Sequence, residues 1–115
     1  MLPKKYRLKI NRTDSRKWGD KKQIYTPLLK TVFHFRKGAA SGPTIGFIIP
    51  GKIKGSVKRN RVRRVLTEAV RERIEKFPNQ IEAIVIANKE ANEAKNEEVS
   101  NWVDKTLSKI NTPAA

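Results

Sequence analysis

The stretch that decides the fold covers residues 52–72 and reads KIKGSVKRNRVRRVLTEAVRE. Seven of its first thirteen residues are Lys or Arg, and from Val57 onward apolar residues recur at intervals of three and four. That spacing predicts an amphipathic helix, which ends near Phe77 and packs one face on a sheet. The apolar residues of that face are Val62, Val65, Leu66, Ala69, Val70 and Ile74. Cations and core residues therefore share one helix without competing for the same face.

Strands are predicted on both sides of this helix. Residues 24–35 are rich in β-branched and aromatic types and predict one bent strand, with Pro27 near its start. The small residues at 36–43 are typical of a hairpin connection, so residues 44–49 are predicted to form a second, antiparallel strand. Residues 81–87 contain an unbroken apolar run that is typical of a buried central strand. A helix between two strands implies a crossover connection.

The two ends of the chain are predicted to differ. Residues 1–22 predict a basic arm or a shortened first helix, because Gly19 interrupts the segment. Residues 96–110 predict a second packing helix, and residues 111–115 predict a frayed tail. We expect residues 1–115 to form a single domain. The apolar face of the second helix consists of Val99, Trp102, Val103, Thr106, Leu107 and Ile110.

The positive charge is concentrated in the first two-thirds of the chain. The net charge is +15, from 26 Lys and Arg against 11 Asp and Glu. Residues 1–78 carry 22 basic and 5 acidic side chains, whereas the remainder carries 4 and 6. This asymmetry favours a nucleic-acid partner, because each phosphate that is neutralised releases condensed counterions. A lipid surface is disfavoured, since the helix face opposite the cations carries small aliphatic residues.

The residue types that carry chemistry are scarce. The chain has no cysteine and one histidine, His34, which is predicted either to bind RNA or to lie exposed. We find no paired carboxylates, no nucleophile with a histidine and no phosphate-binding glycine loop. The sequence therefore predicts no catalytic residue and no metal site in the protein. It also has neither a signal peptide nor an apolar run long enough to span a membrane, so we expect a cytoplasmic protein.

The basic stretch resembles a known family. Residues 58–64, with Leu66, Glu68, Ala69 and Arg71 after them, closely resemble the signature of the protein subunit of bacterial ribonuclease P. The Arg-Asn-Arg core of that signature is residues 59–61 here. The segments MLPKKYRL at 1–8, TIGFII at 44–49 and EAIVIA at 82–87 are also similar to the family, so residues 1–110 match it in order.

This resemblance implies both a fold and a function. The implied fold is a small α/β sandwich of the α+β kind, with a mixed sheet of about four strands, two to three helices, and the basic helix in a left-handed crossover. The implied function is that of an accessory subunit of an endoribonuclease, which assists removal of the 5′ leader of precursor tRNA. Its partners would be precursor tRNA and a catalytic RNA, whose bound Mg²⁺ carries the chemistry. The protein would be monomeric within the ribonucleoprotein and bind no cofactor itself.

The candidate site residues form two groups. Asn60 is predicted either to cap the basic helix, which we favour, or to contact RNA. Trp18 replaces the usual aromatic pair of the family's first helix, and it either stacks on a leader base or covers the sheet. The candidates for RNA contact are Lys52, Lys54, Lys58, Arg59, Asn60, Arg61, Arg63, Arg64 and Arg71, and the candidates for a leader cleft are Trp18, Tyr25 and Arg7.

Two alternatives remain open at this point. The cations of the basic helix could form a solvated face that is paired with Glu68, Glu72 and Glu75, although three acids are too few to neutralise it. The whole chain could instead be a non-catalytic RNA-binding protein, such as a ribosomal protein or an RNA chaperone. Cleavage of precursor tRNA on reconstitution separates that class from the ribonuclease P subunit.

Overall fold

The secondary structure comes from a computed structural model that describes residues 2, 4–8, 21–35, 42–51 and 53–111. Its strands and helices are β1 (Lys22–Tyr25), β2 (Leu29–Phe35), β3 (Thr44–Ile48), α1 (Ser56–Arg71), β4 (Ile81–Ala87) and α2 (Asn96–Asn111). Short 3-10 helices occur at Lys4–Tyr6, Ile74–Lys76 and Lys89–Asn92. The predicted arm at 1–22 falls largely outside the described residues, as do residues 112–115 of the predicted tail.

The four strands form one mixed sheet in the order β1-β2-β4-β3. The pairs β1/β2 and β2/β4 are antiparallel, and β3/β4 is parallel with Ile45 opposite Ala83. The helix α1 joins the parallel pair, so the predicted crossover is confirmed. The mixed four-stranded sheet with two helices also confirms the predicted fold class.

Residues 24–35 form two strands, so the prediction of one bent strand was wrong. The chain reverses at Thr26, whose backbone N–H donates to the carbonyl of Leu29 at 2.8 Å. The Thr26 hydroxyl also donates to that carbonyl at 3.1 Å and accepts from the Leu29 N–H at 3.0 Å. These three bonds close a tight turn over Pro27, whose ring fixes φ and supplies no competing donor.

The predicted pairing between β2 and β3 was also wrong, because β4 lies between them. Five of the seven residues of β4 are buried, on both sides of the strand. A strand that is apolar on both faces is stabilised most by a central position, where both faces are covered. The strand β3 has mostly half-buried residues and would be stabilised less by that position. The connection at 36–43, which we read as a hairpin, therefore joins strands that are not neighbours.

The core lies between the sheet and the two helices. Side chains from the sheet (Leu29, Val85) and from the helices (Val70, Val103) meet around one small apolar cavity. Of the predicted helical stripe, Val62, Leu66, Ala69 and Val70 are buried, and Val65 and Ile74 are half-buried. Of the six predicted residues of α2, Val99, Val103, Leu107 and Ile110 belong to the same core, Thr106 is also buried, and Trp102 is half-buried at the border.

An ion pair ties the end of α1 to α2. Arg73 lies two residues after the end of α1, and its Nε donates to a carboxylate oxygen of Asp104 at 2.5 Å. The same guanidinium donates to the carbonyl of Ala69 at 2.9 Å. The hydrogen bond from Arg73 holds the pKa of Asp104 below its ordinary value. Because the folded-state pKa is lowered, this contribution to stability is present above the ordinary pKa and is lost as pH falls through the lowered one.

We expect Asp104→Asn to lower the free energy of unfolding at neutral pH by at most about 1 kcal/mol, since a half-exposed carboxylate is screened by solvent. The difference from wild type should vanish at a pH below the folded-state pKa of Asp104. Urea unfolding at pH 7 and at a series of lower pH values measures the difference and its loss. Glu93→Gln removes one exposed carboxylate that makes no ion pair with a described residue, and a loss as large from that variant would contradict the assignment.

Candidate nucleic-acid interface

The helix α1 begins four residues before Asn60, the residue predicted to cap it. Gly55 precedes it with φ of 91°, a left-handed conformation that favours glycine, and Ser56 is the first helical residue. Asn60 therefore lies inside the helix and is exposed, so the prediction that it caps the helix was wrong. The first turn contains no acidic residue and no side-chain cap. Its orphan amides thus add a partial positive charge to that of the neighbouring lysines.

Four of the predicted RNA-contacting cations are exposed and unengaged. The side chains of Lys54, Lys58, Arg63 and Arg64 make no hydrogen bond or ion pair with another described residue. Successive residues of a helix are rotated by about 100°, so Asn60 and Arg64 lie opposite the buried stripe while Lys58 and Arg63 flank it. Lys58, Arg63 and Arg64 are therefore spread around the exposed half of one rigid helix, and Lys54 lies just before its start.

Three other predicted contacts already have partners within the protein. Arg59 Nη1 donates to the carbonyl of Ile53 at 3.1 Å. Arg71 makes two bonds with the carboxylate of Glu68, at 2.7 and 3.2 Å, and these hold the pKa of that carboxyl below its ordinary value. Arg61 donates to two backbone carbonyls in the segment that links β4 to α2.

The alternative of a charge-paired helix face therefore applies to one cation of the basic stretch. Glu68 pairs with Arg71, but Glu72 lies 3.6 Å from Arg73, which follows the stretch. Glu75 is exposed and makes no ion pair with a described residue. Lys58, Arg63 and Arg64 have no acidic partner among the described residues.

The leader-cleft candidates are not brought together. Tyr25 lies in the edge strand β1, is 63% exposed, and has the Nζ of Lys30 5.4 Å from its ring centre. Arg7 lies beyond the other edge, where it forms a β-bridge with Ile45. Four strand spacings, roughly 19 Å in all, separate β1, which carries Tyr25, from the segment that contains Arg7. Lys52 and Trp18 lie outside the described residues.

The sheet face opposite the helices carries two polar pairs that were not predicted from the sequence. The strand register places Tyr25 beside Lys30 on this face, and His34 beside Glu82. The imidazole Nε2 of His34 and the Glu82 carboxylate are 2.9 Å apart, so the histidine is not simply exposed. His34 and Glu82 come from strands far apart in sequence, so only the order of the strands could have shown that they are neighbours. Tyr25 and Lys30 face each other across the short turn between β1 and β2.

The part of the chain that the structure describes contains neither a metal-binding group nor a membrane-spanning helix. No three or more His, Asp or Glu side chains within the described ranges are grouped so that they could hold a metal ion. Within the same ranges, no helix has the length and apolarity needed to cross a membrane.

A mixed sheet with a cation-rich crossover helix defines a small basic α+β protein of the nucleic-acid-binding class. The family model of ribonuclease P matches residues 2–111. The chain therefore belongs to the ribonuclease P protein family. RNA binding and tRNA processing follow from that membership, as does the role of an accessory subunit in an endoribonuclease whose catalysis is carried by RNA.

Relatives and solved structures agree with this membership. The ribonuclease P protein component of Vibrio parahaemolyticus is 35% identical over 80 residues, which cover 69% of this chain and 67% of the relative. That of Pelotomaculum thermopropionicum is 37% identical over 62 residues, 54% of this chain and 55% of the relative. The fold is similar to that of the Staphylococcus aureus RNase P protein, with a TM-score of 0.78, 19% identity and coverage of 92% and 95%. The Thermotoga maritima protein gives 0.78 and 18%, with 92% and 98% covered.

Proposed function

We propose that this chain binds the catalytic RNA of ribonuclease P through α1 and helps that RNA to hold precursor tRNA while the 5′ leader is removed. The observation that carries this proposal is a set of exposed cations that make no bond with another described residue: Lys58, Arg63 and Arg64 on α1, and Lys54 just before it. The two arginines can each fork onto two oxygens of one phosphate, and exposed Asn60 between them can donate and accept hydrogen bonds. Lys52 belongs to the same proposed set by its place in the sequence.

The contribution of the protein is electrostatic. Mg²⁺ held by the RNA would activate the water that cleaves the phosphodiester bond. The cations of α1 would lower the repulsion between RNA phosphates, and would thereby reduce the Mg²⁺ concentration that cleavage requires. We propose that the protein acts as a single-domain monomer in the cytoplasm, the compartment in which precursor tRNA is made.

For the leader, we propose contact with the sheet face opposite the helices. Tyr25 offers an exposed ring for base stacking, and Lys30 beside it can meet a phosphate. Arg7 would meet the RNA at the other edge of the sheet, so one stretch of leader that touches both must cross the sheet. Trp18 is a further candidate on the sequence alone.

We expect Tyr25→Leu to weaken binding of leader-bearing precursor tRNA by about fivefold, since the loss of one stacked ring costs about 1 kcal/mol at the low end. Binding of mature tRNA, which has no leader, should not change. Titration of both substrates into the reconstituted ribonucleoprotein measures the ratio. An equal loss for both substrates would place Tyr25 outside the leader contact.

The reconstitution assay tests the function as a whole. A labelled precursor tRNA is incubated with a bacterial ribonuclease P RNA at low Mg²⁺, with and without the protein, across a salt series. Cleavage at the mature 5′ end that depends on the protein is the expected result. Binding to both a cognate and a standard RNA without stimulated cleavage would instead place the chain among general RNA-binding proteins.

Arg71 offers a test in which RNA binding is expected to become stronger. We expect Glu68→Gln to strengthen RNA binding by a few-fold, because it frees the Arg71 guanidinium for phosphate. Glu75→Gln removes the same charge from an exposed position that engages no described cation, and it should have a smaller effect. Equal gains from the two variants in the same RNA titration would show that net charge alone matters.

A further inference from the structure

Arg61 is held differently from the neighbouring cations of α1. Its Nη1 donates to the carbonyl of Asn92 at 3.0 Å, and its Nη2 donates to the carbonyl of Ala94 at 3.3 Å. Both acceptors are backbone groups in the connection from β4 to α2, more than 30 residues further along the chain. One guanidinium thus joins two parts of the fold that are distant in sequence.

In the connection that Arg61 contacts, the N–H of Ala91 donates to the carbonyl of Asn88 at 3.0 Å, whereas the backbone bonds that follow are long. The N–H of Glu93 reaches the carbonyl of Glu90 at 3.3 Å, and that of Ala94 reaches Ala91 at 3.4 Å, both near the limit of a hydrogen bond. The methyl groups of Ala91 and Ala94 are buried in the core. Core contacts therefore hold the segment on one side, and Arg61 holds it on the other.

The hydrogen bonds of Arg61 affect the cations on either side of it on the helix. Residues three apart are neighbours on a helix surface, so Arg61 lies between Lys58 and Arg64. Those two cations are exposed and unengaged. Together with the buried stripe, an anchor between them fixes how α1 is rotated against the rest of the protein, and hence where both cations point.

We propose that Arg61 is a positioning residue for RNA binding: by gripping the carbonyls of Asn92 and Ala94 it orients α1, and it does not itself contact phosphate. This proposal rests on the proposed function of α1 as the RNA-binding helix. Two of the five N–H groups of its guanidinium, one on each Nη, already bond to carbonyls, so the end-on fork formed by Nη1 and Nη2 faces the protein. Lysine carries the same charge but lacks the planar fork, so it cannot reproduce the grip.

The test compares Arg61→Met with Arg64→Met, two variants that remove the same charge from neighbouring positions. Binding of the full-length protein to a bacterial ribonuclease P RNA is measured across a salt series. The association constant K falls as salt rises, so the slope of log K against log salt is negative. Arg64→Met should make this slope shallower by about 0.7 to 0.9, the value of one phosphate contact. Arg61→Met should leave the slope unchanged and weaken binding by roughly five- to tenfold, in the range of coupling between separate sites.

Hydrogen exchange of the free protein supplies the second readout. Arg61→Met and Arg61→Lys should both speed exchange of the Ala91, Glu93 and Ala94 amides, whereas Arg64→Met should not. Arg61→Lys should also weaken RNA binding although the net charge is unchanged.

A shallower salt slope for Arg61→Met, unchanged amide exchange, or unchanged affinity in Arg61→Lys would each overturn the positioning role. Failure of the wild-type protein to bind the RNA would instead overturn the proposed function, while the exchange data would still report on the grip.

Discussion

Replacement of Arg63 and Arg64 together by glutamate is expected to weaken binding to ribonuclease P RNA by at least about 100-fold. Each charged hydrogen bond to phosphate contributes about 1.5 kcal/mol or more, and a tenfold change in affinity corresponds to about 1.4 kcal/mol. The two side chains are exposed and make no bond with a described residue, so their loss should leave the fold intact. The salt dependence of binding should fall as well, because fewer counterions are released.

The matched control is Lys105→Glu with Lys109→Glu. These lysines are exposed on α2, and the double variant changes the net charge by the same amount. We expect it to weaken RNA binding far less, since α2 carries none of the proposed contacts. Fluorescence titration of labelled RNA at two salt concentrations measures both variants, with circular dichroism to verify folding. Comparable losses would mean that overall charge, and not the surface of α1, drives binding.

Leu66→Ala is expected to produce the largest loss of stability, about 3 to 4 kcal/mol. The Leu66 side chain is fully buried and comes from the middle of α1, where the helix meets the core. Truncation removes apolar contacts and leaves a cavity that close-packed neighbours cannot fill. A domain of this kind has only about 5 to 15 kcal/mol of stability, so the midpoint of thermal unfolding should fall by roughly 10 to 20 °C.

Val57→Ala on the same helix is the control for that loss. The side chain is 81% exposed, so its truncation should change the free energy of unfolding by no more than about 0.5 kcal/mol. Urea unfolding followed by circular dichroism gives both values. A loss below about 1 kcal/mol for Leu66→Ala would contradict the packing of α1 described above.

Much of the fold could be predicted because its strongest signals are local. The stripe from Val62 to Val70 and the apolar run of β4 each lie within one element. The stripe is buried at the predicted helical spacing, and β4 is buried on both faces as its unbroken run predicts. The two errors at the sheet have different causes, one local and one distant in sequence. At Thr26 a β-branched residue of high strand propensity uses its hydroxyl to close a turn instead. The central place of β4 depends on a pairing between strands nearly 50 residues apart.

The candidate site was predictable as a helix but not residue by residue. Charge and spacing identify α1 as the cation-bearing element. They do not show that Arg61 meets carbonyls 31 and 33 residues away, because that contact exists only once the chain has folded. The start of α1 depends on the backbone conformation of Gly55, whereas the predicted cap rested on the side chain of Asn60. Residue types thus indicated the partner, and tertiary contacts distinguish the cations that can reach it.

The strand order β1-β2-β4-β3 also governs when this protein can fold. Until β4 has been synthesised, β2 and β3 lack the strand that joins them, and only the β1/β2 hairpin can form from local contacts. A two-stranded hairpin alone is marginally stable in water. The basic first two-thirds of the chain therefore leaves the ribosome before it has a complete core. Folding must wait for the C-terminal third, and a chain truncated before β4 would be left with open strand edges that are prone to aggregate.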